Sequence, residues 1–148
     1  MTAALRVFVD ANVWFVAAAS PGGASAMLLA LCQEGHCDAS VTRRILQEAE
    51  KNLQAKATFR DAALVRFYRL IAAPGLQITA APSSEETARY TGLIHPKDIH
   101  VLAGASKAKA AALITLDRKH FWTPTIRQAT LPFEILTPGA FLHRLVAE

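Results

Sequence analysis

Cysteine is scarce. The 148-residue chain has two, Cys32 and Cys37, too few for a disulfide framework, and no further pair completes a zinc site. Long apolar runs are missing as well. The longest, Val13–Ala19, Ala26–Cys32 and Ala110–Ile114, fall far short of the roughly 20 residues that a membrane-spanning helix needs. No membrane partner is expected. An export leader is not expected either, because Asp10 and Asn12 sit in the middle of the apolar stretch near the N-terminus, where a signal core does not tolerate charge. Repeats, low-complexity tracts and interdomain linkers are absent. Charged residues make up only 19% and hydrophobic ones 52%, so a packed core is affordable and disorder is excluded on composition. These absences predict one cytoplasmic domain over residues 1–148.

What is there begins with charge. Sixteen Lys and Arg against twelve Asp and Glu leave a net charge of +4, which permits an anionic partner without proving one. Between Arg43 and Arg69 lie seven basic residues (Arg43, Arg44, Lys51, Lys56, Arg60, Arg66, Arg69) and three acids (Glu48, Glu50, Asp61). That segment carries the whole excess. It reads equally as a solvated helix face or as a footprint for a phosphate backbone. On the second reading Arg43, Arg44 and Lys51, with Arg118 and Lys119 further on, are the candidate nucleic-acid contacts.

The pattern alternates between strand and helix. Leu5–Asp10 is β-branched and aromatic and ends in an acid; Ala24–Gln33 is apolar and helical, with Gly35 as its stop. Cys37–Val41 suits a second strand, and Thr42 starts a helix with Ile45, Leu46, Ala49 and Leu53 at helical spacing. A further helix is predicted from about Thr58 to Ala73, ended by Pro74-Gly75. Leu76–Thr79 reads as a strand, and Pro82–Glu86 as a loop into a capped helix. Pro96 opens another helix, where its missing N–H costs nothing. Ala111–Leu116 is a strand running into Asp117, Phe133–Leu136 is the last strand, and Pro138 opens a helix to about Val146. Such alternation argues for an α/β fold with a parallel sheet, whose ligands bind beyond the carboxyl ends of the strands.

Four acids fall on that edge. Asp10 and Asp117 end strands, Asp98 lies in the first turn of a helix, and Glu48 sits early on another. Carboxylates crowded together stay ionised only with a cation among them, and hard divalent ions such as Mg²⁺ or Mn²⁺ take oxygen ligands. A metal so held suits phosphodiester hydrolysis. Each acid also has a plainer use: Asp10 as a cap, Asp98 against a helix dipole, Asp117 in a turn, Glu48 paired with Arg44 or Lys51. Spacing alone leaves both open.

The local strings resemble the PIN-domain ribonucleases. Val7-Phe8-Val9-Asp10-Ala11-Asn12-Val13 is similar to that family's opening strand with its first acid. Leu46-Gln47-Glu48-Ala49-Glu50 is similar to the helix with the second, and His95-Pro96-Lys97-Asp98-Ile99 to the helix start with the third. Leu113-Ile114-Thr115-Leu116-Asp117 resembles the strand and turn with the fourth, and Ile135–Pro138 with Phe141-Leu142 the closing strand and helix. The resemblance covers nearly the whole chain in the family's order. It implies a three-layer α/β/α sandwich with a mainly parallel central sheet, and a VapC-like Mg²⁺- or Mn²⁺-dependent endoribonuclease. Asp10, Glu48, Asp98 and Asp117 would be the catalytic acids and metal ligands, while Asn12 and Thr115 would hydrogen-bond and orient them. Implied partners are an RNA substrate, an antitoxin protein and a second copy in a homodimer.

Many members carry a further aspartate shortly after the fourth acid, where this chain has Arg118, Lys119 and His120. That leaves a second metal position in doubt, with His120 read as a surface residue before a ligand. Glu50 is a rival for Glu48 but faces elsewhere on the helix. His36, His95, His100 and His143 show no zinc spacing, and Trp14 and Trp122 read as core or loop anchors. The alternative function is an RNA-binding module with this fold that does not cleave. A phosphoacceptor receiver domain is disfavoured, because Asp10 has no acidic neighbour and Phe133–Pro138 carries no lysine.

Overall fold

Five parallel strands form the sheet, in the order β3-β2-β1-β4-β5. The computed structural model describes residues 5–147, and the strands are β1 Leu5–Val9, β2 Cys37–Thr42, β3 Gln77–Thr79, β4 Ala112–Ile114 and β5 Glu134–Leu136. The helices are α1 Ala11–Ala19, α2 Ala24–Gln33, α3 Arg43–Lys56, α4 Arg60–Ile71, α5 Ser84–Ala88, α6 Ile99–Lys107, α7 Arg118–Phe121, α8 Pro124–Gln128 and α9 Pro138–Ala147. A 3₁₀ turn, Pro96–Asp98, leads into α6. β1 is the central strand. Its last three residues, Val7, Phe8 and Val9, are fully buried, the mark of a parallel strand covered on both faces. α1 packs with α2, α3 and α4, while α6, flanked by α5, lies against β1, β2 and β4. No helix among the described residues is long and apolar enough to cross a membrane.

The packing of α6 on β1 depends on Gly104. A Cβ there would lie 2.6 Å from the Cζ of Phe8, so only glycine admits the ring. Ser40 Oγ ties β2 to β1 by donating to the Val7 carbonyl at 3.1 Å, and Trp14 Nε1 donates to the Val9 carbonyl at 3.1 Å. Trp14 is therefore a core anchor, as its sequence context suggests.

Several boundaries differ from the sequence reading, each for a local reason. The helix expected from Thr58 begins at Arg60, because α3 runs on to Lys56 and a short turn intervenes. Asp117 does not end its strand: β4 stops at Ile114, and Asp117 instead caps α7 by accepting the His120 N–H. α7 and α8 are too short to show a period. Thr42 is the cap of α3, its Oγ1 accepting the Ile45 N–H, and Ser83 with Glu86 closes the capping box of α5. Gly35, at φ +90°, ends α2 in the left-handed region. Cys32 and Cys37 are joined as a disulfide across that turn. A count of cysteines speaks to a framework of bridges and not to one bridge over a tight turn.

Candidate active site

Asp10 follows the last residue of β1 and caps α1, its Oδ1 accepting the Ala11 N–H at 2.8 Å. Its Oδ2 accepts from Thr115 Oγ1 at 2.8 Å and from Asn12 Nδ2 at 3.3 Å. Asn12 spans the gap between strand ends: Nδ2 also donates to Thr115 Oγ1 at 3.2 Å, and Oδ1 accepts the Leu116 N–H at 2.9 Å. Thr115 Oγ1 accepts the Asp117 N–H at 3.2 Å as well. Asn12 and Thr115 thus lock the segments after β1 and β4 together and orient Asp10. The carboxyl of Asp10 is 6% exposed, and burial pushes its pKa up to about 6 from 3.8. Its hydrogen bonds to Thr115 and Ala11 oppose that shift, and the charges of Glu48 and Asp98 add to it.

Asp98 closes the 3₁₀ turn that His95 caps, the His95 Nδ1 accepting the Lys97 N–H at 3.2 Å. Its Oδ2 is buried without any hydrogen-bond partner. Burial raises the pKa of this carboxyl, while His120 and Lys97 hold it down. Asp117 Oδ2 lies 2.7 Å from His120 Nδ1, which is 3.9 Å from Asp98 Oδ2. The ligand atoms of Asp98, Asp117 and His120 all fall within 4.8 Å of one another.

Asp10, Glu48, Asp98 and Asp117 line one cleft of about 270 Å³. The structure brings all four acids together at the carboxyl edge of the sheet, although helix α3 contributes one and the turn before α6 another. No fifth carboxylate lines the cleft among the described residues. An orphaned buried carboxylate oxygen beside other acids fits a hard divalent cation, since oxygen donors of this charge otherwise repel. Asp98, Asp117 and His120 place ligand atoms close enough together to share such an ion, and Asp10 and Glu48 line the same cleft.

The other candidates separate. Arg43 and Arg44 open α3 and line a second cavity next to the cleft. Lys51 is exposed on α3, and Arg118 and Lys119 are exposed on α7; none of the three lines the cleft. His120, read from the sequence as a surface residue before a ligand, is half-buried and pairs with Asp117, drawn in because α7 folds tightly after its cap. The acidic cleft also has Asn52, Lys56 and Lys97 in its wall, which sequence reasoning did not single out. Glu48, Asn52 and Lys56 recur every fourth residue along α3, a spacing that places them on one face and was readable once Glu48 was chosen. Glu50, in contrast, meets Tyr68.

A parallel sheet with four acids gathered at its carboxyl edge defines an α/β domain with an acidic site at that edge. Residues 6–119 match the family model described as PIN domain, and the chain belongs to the PIN-domain family. No curated protein matches it in sequence. Among solved structures it is similar to the protein PAE2754 from Pyrobaculum aerophilum, at 16% identity and a TM-score of 0.66 over 97% of this chain and 91% of that one. It is also similar to VapBC2 from Rickettsia felis bound to a promoter DNA fragment, at 13% identity and TM-score 0.60 over 89% and 98%. VapC20 of Mycobacterium tuberculosis, described as a sarcin-ricin loop cleaving toxin, is similar at 12% identity and TM-score 0.54 over 76% and 91%. Likeness at such identities concerns the fold.

Proposed function

We propose that this protein is a Mg²⁺- or Mn²⁺-dependent endoribonuclease and the toxin component of a toxin–antitoxin pair. The observation that carries the reading is the cleft of four carboxylates in which one buried oxygen, Asp98 Oδ2, has no partner. Membership of the PIN-domain family supports it, as do the printed descriptions of VapC20 as a cleaving toxin and VapBC2 as a toxin–antitoxin assembly. A divalent ion bound here would supply charge to offset the developing phosphoryl oxyanion and lower the pKa of water. Asp10, Asp98 and Asp117 hold their carboxylates at the carboxyl edge of the sheet, Asn12 and Thr115 fix the rotamer of Asp10, and Lys56 and Lys97 offer cations to the flanking phosphates. One of the four acids would also orient or deprotonate the attacking water. The antitoxin would be a small protein covering this edge, and a homodimer would use another face.

The test is cleavage of a labelled single-stranded RNA panel with Mn²⁺, Mg²⁺ or EDTA, with wild type and Asp98→Asn purified side by side. Metal-dependent cleavage by wild type alone is expected. Equal cleavage by both proteins sinks the assignment of Asp98, and RNA binding without any cleavage favours a non-catalytic RNA-binding module.

A further inference from the structure

The carboxyl edge of the sheet carries a second cavity that hydrolysis does not use. It lies at the ends of β2 and β3, has a volume of about 490 Å³, and is walled in part by Thr42, Arg43, Arg44, Ile78, Pro82 and His100. Phe8 of β1 pairs with Ser40 of β2, so Thr42 comes level with Asp10, about 4.8 Å away across the sheet. The cavity and the acidic cleft are therefore neighbours on one surface.

Its wall is fixed in place. Lys107 Nζ donates to the Ala81 carbonyl at 3.3 Å and to Glu86 Oε1 at 2.9 Å. Glu86 Oε1 also accepts the Ser83 N–H at 2.8 Å, so the loop between β3 and α5 is pinned to α6 from two sides. Arg43 and Arg44 stand in the first turn of α3, which contains no acid. Cations are disfavoured at that end of a helix, and anions are attracted by it. Neither arginine has a carboxylate within ion-pair distance among the described residues. His100, 8% exposed, faces the same cavity. Its ring nitrogens make no hydrogen bond among the described residues; what acts on it is burial and the charge of Arg44. The ring is therefore free to hydrogen-bond a group that enters the cavity.

We propose that this cavity is a nucleotide subsite for the RNA strand flanking the scissile phosphate: Arg43 and Arg44 hold a phosphate, Ile78 and Pro82 cover the face of the base, and His100 hydrogen-bonds a polar edge of that base. The proposal rests on the ribonuclease reading above, and it makes the cavity a determinant of which nucleotide lies beside the cut. RNA is favoured over an acidic protein segment because a pocket of this size takes one small-molecule-sized group, here a base with its phosphate on Arg43 and Arg44, and not a length of chain.

The test uses the full chain carrying Asp98→Asn, in EDTA, with a fluorescein-labelled single-stranded RNA containing 4-thiouridine. Affinity is read by anisotropy, and photo-cross-links are mapped by mass spectrometry. Adding Arg44→Ala should weaken binding about tenfold, whereas Arg127→Ala, on the far helix α8, should not. Cross-links should fall on residues 78–87, and His100→Asn, which keeps a hydrogen-bonding edge, should retain more affinity than His100→Ala with both melting like the parent. Unchanged affinity in Arg44→Ala, or cross-links confined to other surfaces, overturns the subsite. Cleavage by the wild type in Mn²⁺ is scored separately. Cross-linking to the cavity without cleavage overturns the nuclease reading and leaves a nucleotide site, and cleavage without such cross-links overturns the subsite alone.

Discussion

Asp10 shows how one residue holds competing demands. It caps α1, accepts hydrogen bonds from Thr115 and Asn12, and is buried beside other acids. Its pKa of about 6 in the folded chain exceeds the ordinary 3.8, so the folded state binds this proton more tightly than the unfolded one. In EDTA the associated stability is therefore fully present below about pH 4 and is lost as pH rises to about 6, a cost of roughly 3 kcal/mol at neutral pH. Asp10→Asn should abolish cleavage, raise the melting temperature at pH 7 in EDTA and flatten its fall between pH 4 and 6. A variant that melts well below wild type at pH 7 would show that the cap outweighs the repulsion. The string around Asp10 marked the acid and Asn12, and the string before Asp117 marked Thr115; the burial that shifts the pKa of Asp10 was in neither.

Elements carry the next layer of constraint. α6 can lie on β1 only because Gly104 admits the Phe8 ring. Gly104→Ala should cost about 1–3 kcal/mol by overpacking, read as a lower urea midpoint, and Phe8→Leu in the same chain should recover part of it. An unchanged midpoint would mean that the two elements separate at little cost. α3 and α4 divide the basic segment by function. Arg66 Nε donates to the Ala18 carbonyl at 2.6 Å and so caps the end of α1, whereas Arg43 and Arg44 are exposed at the start of α3. Replacing Arg43 and Arg44 together with alanine should reduce the slope of log affinity for single-stranded RNA against log salt by about 0.7, the share of the one phosphate they hold. Arg66→Ala should leave that slope alone while lowering the melting temperature. Equal slopes for all three proteins would make the segment a solvated face.

At the scale of the whole molecule, metal and fold are linked. An ion that binds the folded cleft and not the unfolded chain stabilises by mass action, about 2.7 kcal/mol at a hundredfold excess over its dissociation constant. Mn²⁺ should thus raise the melting temperature of wild type by several degrees, and Asp98→Asn should lose the shift. The same rise in both proteins would place the ion outside the acidic cleft. The net charge of +4 favours an encounter with an anionic partner, while the cleft itself is acidic and has Lys56 and Lys97 in its wall.

Alternating strand and helix patterns and the helix starts at Thr42 and after Ser83 were legible in the chain, because each is set by neighbours a few residues away; the four acids were marked by the resemblance of their strings, and spacing alone left their convergence open. The parallel architecture was legible too, since helix-linked strands leave few other solutions. Tertiary structure alone decided which basic residues meet the acids. Lys56 and Lys97 reach the cleft, Lys51, Arg118 and Lys119 do not, and His120 turns inward onto Asp117. It also decided that Asp98 keeps a buried oxygen without a partner and that His100 faces a cavity beside Arg44. Burial and side-chain direction depend on how α3, α6 and α7 pack around the edge of the sheet, and no local string encodes that packing.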